Sequence, residues 1–268
     1  MYLYNKFINF AILINEFMGS KEKFFIYNND LCDKTNLDYN QVALIVEAVK
    51  SFARSTHKSV YIIDYCKDIV PFVSDNIAYF LNKDVEQIKN NITQIFKEIV
   101  PEDELAILSE IREKGIDFYK GIESKQKKEW SIICDFHIKN NNGIWLINHS
   151  LTPILLTQEG KVWLALCTVS ISTKNKKGNV IIRNYNDAEC FEYSFFEHSW
   201  HKTEIPILSK EEKQVLLLSA QGYTTSDISK KMHKSVDTIK TYKRRLFDKL
   251  DVHNTTEALV NAINYRLL

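Results

Sequence analysis

Asp237, Lys240, Thr241 and Arg244 fall at i, i+3, i+4 and i+7, so on a helix they gather into one polar stripe. Val236, Ile239, Leu246 and Leu250 recur at near-helical spacing and are expected on another stripe, facing a small core. From Lys230 to Lys249 there are eight Lys and Arg against two Asp, while the whole chain carries a net charge of only +1. Cations concentrated in this way suit the phosphates of a nucleic acid, and a helix with one polar stripe fits the major groove of DNA. On charge alone, a solvated helix face is the plainer reading of such a run.

Positioning that stripe takes several short helices, and each has a start signal. Ser209 stands three residues before Glu212, and Thr224 three before Asp227, both with capping-box spacing. Ser235 opens the segment that carries the stripe, and Asn254 with Glu257 opens a fourth. Gly222 supplies the left-handed residue that closes the first helix. A short helix, a turn and a basic helix are what a helix-turn-helix needs to place a rod in the major groove.

These residues stand in the register of a known pattern. Leu208-Ser209, Glu212, Val215-Leu216, Ala220-Gln221-Gly222, Ile228-Ser229, Thr238-Ile239-Lys240, Lys249-Leu250 and Ala258 resemble the LuxR/GerE-type helix-turn-helix, the output domain of many bacterial transcription regulators. Tyr242, Arg245 and Thr255 depart from the pattern, which bears on the target sequence and not on the fold. The resemblance implies that Lys240, Thr241 and Arg244 touch base edges, with Thr224, Thr225, Thr238, Lys243 and Arg245 as candidates for phosphate contacts.

At 268 residues the chain exceeds the usual size of one domain, and near-neutral charge confines any nucleic-acid affinity to a local patch. The cysteines, Cys32, Cys66, Cys134, Cys167 and Cys190, are scattered without CxxC spacing, as reduced and mostly buried thiols of a cytoplasmic protein would be. No apolar run reaches the roughly 18 residues of a membrane helix, and residues 7–18 are broken by Asn9, Asn15 and Glu16, so neither a membrane span nor a secretory signal is expected.

Upstream, residues 1–57 are expected to be a helical segment. Leu3, Phe7, Phe10, Ile14 and Phe17 step by four and three as a seam for a coiled coil or a docked helix, and residues 24–27 suit a brief strand. Val42, Ile45, Val49 and Phe52 define a second amphipathic helix. From Val60 the period changes to two, with strands at SVYIIDY and IVPFVS around a turn at Cys66-Lys67-Asp68. Helical segments follow at NIAYFLN, at DVEQIKN and after Pro101, then three longer strands separated by turns at 140–143 and 158–161. This order over residues 58–173 resembles a PAS domain, with a GAF domain as the competing arrangement. Residues 174–205 read as a linker holding a hairpin, in which Phe191, Tyr193 and Phe195 line one face of a strand and Phe196, His198 and Trp200 the other. A strand so lined should be covered on both faces, which suggests a wedge between sensor and DNA-binding domain. Residues 206–268 complete the chain. The fold class expected is α+β: a PAS-like antiparallel sheet with helices, plus an all-α four-helix domain.

Other chemistry finds little support. His198 and His201 would point to opposite sides of a strand, and His137 with His149, on neighbouring strands, are the better pair for haem or metal, although sheet histidines usually serve packing. No phosphate loop, nucleophile with its base, zinc spacing, flavin-type cysteine context, phosphoacceptor pattern or acyl-homoserine-lactone pocket is present, so no enzyme and no cofactor or metal is implied. The expectation is a homodimeric transcription regulator that binds double-stranded DNA, with no membrane partner. Its sensor takes a small-molecule ligand or, alternatively, is a protein-interaction module without one; a haem- or metal-dependent redox sensor is the third reading.

Overall fold

The computed structural model describes residues 37–268 apart from 175, 187, 188 and 266. The seam from Leu3 to Phe17, the strand expected at 24–27 and Cys32 lie outside the described residues. The chain divides into two compact units, the first closing at His201 and the second mainly Lys202–Leu268.

In the first unit α1 (Tyr39–Thr56) precedes β1 (Ser59–Asp64) and β2 (Ile69–Val73), followed by α2 (Asp75–Leu81), α3 (Val85–Ile99) and α4 (Glu102–Lys120). Strands β3 (Trp130–Asn140), β4 (Gly143–Leu156) and β5 (Val162–Ile171) form a meander, and β6 (Val180–Asn184), β7 (Cys190–Ser194) and β8 (Ser199–Thr203) continue the sheet. The order is β2-β1-β5-β4-β3-β6-β7-β8, with the described pairings antiparallel. Its first five strands, with helices between β2 and β3, form the PAS-like arrangement.

Local chemistry explains the turns and helix starts. The Asp64 carboxylate accepts the amides of Cys66 and Lys67 at 2.9 and 3.0 Å, and Asp68 takes the left-handed conformation that completes the β1–β2 turn. Asp84 opens α3 with a capping box, and Glu102, Asp103 and Glu104 stand in the first turn of α4, where the helix dipole favours negative charge. Pro101 sits just before that helix and not within its first turn.

The sheet is buried on two faces. Tyr61 and Ile63 of β1 join a core with Ile88, Ile95 and Phe96 of α3 and Leu108 and Ile111 of α4. Ile62, one residue out of phase, joins Trp163, Leu164 and Val42 on the face covered by α1. Burial of both faces is why β1 is a continuous apolar run with no alternation. Phe52, expected on the buried face of α1, is 49% exposed.

Gly115 allows α4 to lie close to the sheet, since a Cβ there would stand 2.6 Å from Ile132 Cδ1. Buried Glu104 holds the start of α4 to β3, accepting from the His137 amide at 2.7 Å and pairing with its ring Nδ1 at 2.8 Å.

The segment read as a linker is structured differently from the expectation. It contributes three strands to the sheet, and residues 195–198 are a turn in which His198 is left-handed. A single long strand would leave its aromatics without a common surface. Folded back, Phe191 and Trp200 meet Phe118 of α4 at 5.3 and 5.7 Å between ring centroids, and Tyr193 meets Trp200 at 4.9 Å. The turn is tied to α4 as well: the Tyr193 hydroxyl donates to Glu110 Oε1 at 2.6 Å, and His198 Nδ1 lies 2.6 Å from the same oxygen. These aromatics thus pack within their own unit, while Phe196 is exposed. Cys134, Cys167 and Cys190 are free and buried, whereas Cys66 is disulfide-bonded, which departs from the expectation of reduced thiols.

His149 of β4 is buried against Phe96 and Phe136, with its Nε2 2.7 Å from the Tyr61 hydroxyl. Burial pulls its imidazole down to about 4. The unfolded chain binds this proton near pH 6.5, so the stabilisation is fully present above that pH and is lost as pH falls toward about 4, up to roughly 3 kcal/mol. Denaturant unfolding of the first unit should show this loss, and His149→Gln, which can still meet the Tyr61 hydroxyl, should flatten the pH dependence in that window.

Candidate functional site

The second unit contains α5 (Lys210–Ala220), α6 (Thr225–Met232), α7 (Val236–Leu250) and α8 (Thr255–Asn264). Every expected cap is formed. Ser209 and Thr224 make capping boxes with Glu212 and Asp227, Ser235 accepts from the Thr238 amide, and Asn254 accepts from the Glu257 amide. Gly222 is left-handed (φ 87°) after α5. Between α6 and α7 the left-handed residue is His233, and the Lys234 amide returns to the Ser229 carbonyl at 3.0 Å, closing the turn in Schellman fashion.

Two small cores set the rotation of α7. Ile239 packs with Val215 and Ile228, while Leu246 and Leu250 pack with Leu208, Leu216 and Ala258. Val236, expected in the core, is 39% exposed, because at the first position of the helix it projects beyond these contacts.

With that face buried, the polar stripe is turned outward. Lys240 and Arg244 are exposed, and the Thr241 hydroxyl donates to the Asp237 carbonyl at 2.9 Å. Arg245 is exposed and Lys243 half-buried beside them. Thr238 lies 2.9 Å from the Ser235 hydroxyl, and Thr225 is the first residue of α6. The Thr224 hydroxyl donates to Asp227 at 2.6 Å, so its hydrogen is committed to the cap. The structure thus brings Lys240, Thr241, Arg244, Lys243, Arg245 and Thr238 together on α7, with Thr224 and Thr225 at the start of α6.

Buried Glu212 joins the two ends of this arrangement. It accepts from the Ser209 amide at 2.8 Å and pairs with Lys249 Nζ at 2.8 Å, and the same ammonium donates to the Ile207 carbonyl at 3.0 Å. One carboxylate therefore both caps α5 and holds the C-terminal end of α7.

A second candidate site lies in the first unit. A cavity of about 80 Å³ opens between α4 and the sheet, several times what one water needs. Leu108, Ile111, Ile132, Phe136 and Leu151 make its walls apolar, and Arg112, His149 and Cys134 bring the polar groups. Desolvation draws the half-buried Arg112 guanidinium below its usual range. Sequence reasoning assigned no residue to such a site. The available signal was Arg112 within the apolar stripe of Leu108, Ile111 and Tyr119 on α4. His137 is held by Glu104 and His149 by Tyr61, so the two are not brought together, and among the described residues no group of three or more His, Cys, Asp or Glu is placed to hold a metal ion. His198 and His201 meet Glu110 and Glu197 respectively. No helix among the described residues is long and apolar enough to cross a membrane.

Replacing Glu212 with Ala removes an acceptor from the cap and leaves Lys249, which is 40% exposed, without its carboxylate. A loss of about 2 kcal/mol in the stability of the second unit is expected, measurable by urea unfolding of the full chain with a probe in that unit.

Residues 206–262 match the family described as bacterial regulatory proteins, luxR family (GerE). Over 62 residues the chain is 32% identical to the response regulator protein VraR of Staphylococcus aureus, covering 23% of this chain and 30% of that protein, and VraR of Staphylococcus epidermidis gives the same figures. The chain thus spans about 30% of the length of the curated relatives it matches. Among solved structures, the phage VqmA–DPO complex is 15% identical, covering 85% of this chain and 92% of that one at a TM-score of 0.33. The Vibrio cholerae VqmA dimer is 13% identical, with 85% and 88% covered and a TM-score of 0.30. Capped helices, the buried face of α7 and the family match agree: the C-terminal unit carries a LuxR-type helix-turn-helix domain.

Proposed function

We propose that this chain is a sequence-specific DNA-binding transcription regulator of the cytoplasm, whose PAS-like unit receives the signal. The observation that carries the reading is the exposed face of α7, where Lys240, Thr241 and Arg244 project from a helix fixed by its opposite face. In this reading those three side chains meet base edges. Lys243, Arg245, Thr238 and Thr225 fix register on the phosphates, and Thr224 joins them once its hydroxyl is released from Asp227 to donate. Two copies acting as a homodimer would place their α7 helices in major-groove segments about 34 Å apart. VraR is named a response regulator, and the Vibrio cholerae VqmA structure is described as a dimer of a LuxR-type receptor, in keeping with both roles.

The cavity favours a small ligand over a pure protein-interaction role for the sensor. An apolar chamber with a few convergent polar groups is the form such binding sites take. The phage VqmA structure is of a complex with DPO.

Binding measurements across salt concentrations test the interface. Lys240→Ala or Arg244→Ala should each cost about 1–3 kcal/mol on the preferred site and relax base preference, whereas Lys243→Ala should weaken all sequences alike and reduce the salt slope by about one. Unchanged affinity in the Lys240 and Arg244 variants would remove α7 as the reading helix. For the sensor, solvent extraction and mass spectrometry of the purified protein should release a small molecule that is missing from a folded Cys134→Phe variant, in which the cavity is filled. Extracts without such a compound in either protein would favour the protein-interaction reading.

A further inference from the structure

Asp237 is the one acidic member of the stripe formed with Lys240, Thr241 and Arg244. It stands in the first turn of α7, and its side chain is 91% exposed. The N-terminal turn of a recognition helix is the part that approaches base edges. A carboxylate there faces a surface of phosphates, so in any complex that offers it no donor it opposes binding.

Its contacts within the protein leave the carboxylate free to turn. Thr241 bonds the Asp237 backbone carbonyl and not the side chain. The Lys240 ammonium is 3.5 Å from Asp237 Oδ1, an exposed i,i+3 pair of the kind that contributes little. Helix capping does not require it either, because Ser235 accepts the Thr238 amide. A negative charge in the first turn does favour the helix dipole, and that is the plain structural role to be separated from any other.

In the major groove the exposed donors are the amino groups of cytosine N4 and adenine N6, and a carboxylate, which only accepts, pairs with cytosine N4. We infer that Asp237 is a further specificity-determining residue: its carboxylate accepts a hydrogen bond from a cytosine amino group in the site read by α7. The inference rests on the DNA-binding reading above. It assigns the acidic residue a double effect, attraction to one base and repulsion from DNA that lacks it there.

Selection of binding sites from randomised duplex DNA, with the full chain and its variants, tests this. The wild type should enrich cytosine at one position by at least about fivefold. Asp237→Asn should shift that position toward adenine, which Asn reads through N6 and N7, and Asp237→Ala should flatten it while leaving the other positions intact. Both variants should bind unrelated DNA several-fold more tightly, with thermal melting confirming that each is folded. A helix-dipole role alone would lower the melting temperature and leave the selected motif unchanged, which overturns the inference. If Asp237→Ala alters only the positions that Lys240→Ala alters, the carboxylate merely steers the lysine, and the inference again fails. A wild-type chain that selects no motif would instead sink the DNA-binding reading itself.

Discussion

Ile239, Leu246 and Leu250 are buried in the cores of the C-terminal unit, and their burial fixes the rotation of α7 about its own axis. Successive helical residues are about 100° apart, so a slip of one position would carry Lys240 toward the core and a leucine toward solvent. Neither is tolerable: an unpaired ammonium cannot be buried cheaply, and an exposed leucine forfeits the contacts that hold the domain. The outward direction of Lys240, Thr241 and Arg244 is therefore a consequence of what the helix buries.

The small size of this unit makes its helix ends matter. Four short helices leave many amides and carbonyls without intrahelical partners, and Ser209, Thr224, Ser235 and Asn254 meet part of that demand. Glu212 serves twice, at the start of α5 and at the end of α7, so these two helices are held by one carboxylate. Lys249, one of the cations counted toward the basic run, serves this internal contact and the Ile207 carbonyl.

The PAS-like unit obeys a different constraint. Its sheet is covered by α1 on one face and by α3 and α4 on the other, so the alternation of Tyr61, Ile62 and Ile63 distributes apolar side chains to two cores. Strands, helices and their order were legible because period, turn residues and caps are local. The fate of residues 174–205 was not. An aromatic strand read in isolation gives no sign that it breaks at 195–198 and folds back, because the surface that rewards the break, Phe118 and Glu110 on α4, lies some eighty residues earlier in the chain.

The sequence by itself determined the helix-turn-helix, its caps, the polar stripe and the residues expected to meet DNA, since all of these depend on spacings of a few residues within one segment. Tertiary structure decided what depends on approach between segments. It placed Val236 outside the core, set Gly115 against Ile132 so that α4 lies close to the sheet, and left a cavity beneath that helix with Arg112 and His149 in its wall. Local periodicity records which face of an element is apolar, but not how closely that face meets its partner, and the space that remains between two faces is decided only when both are in place.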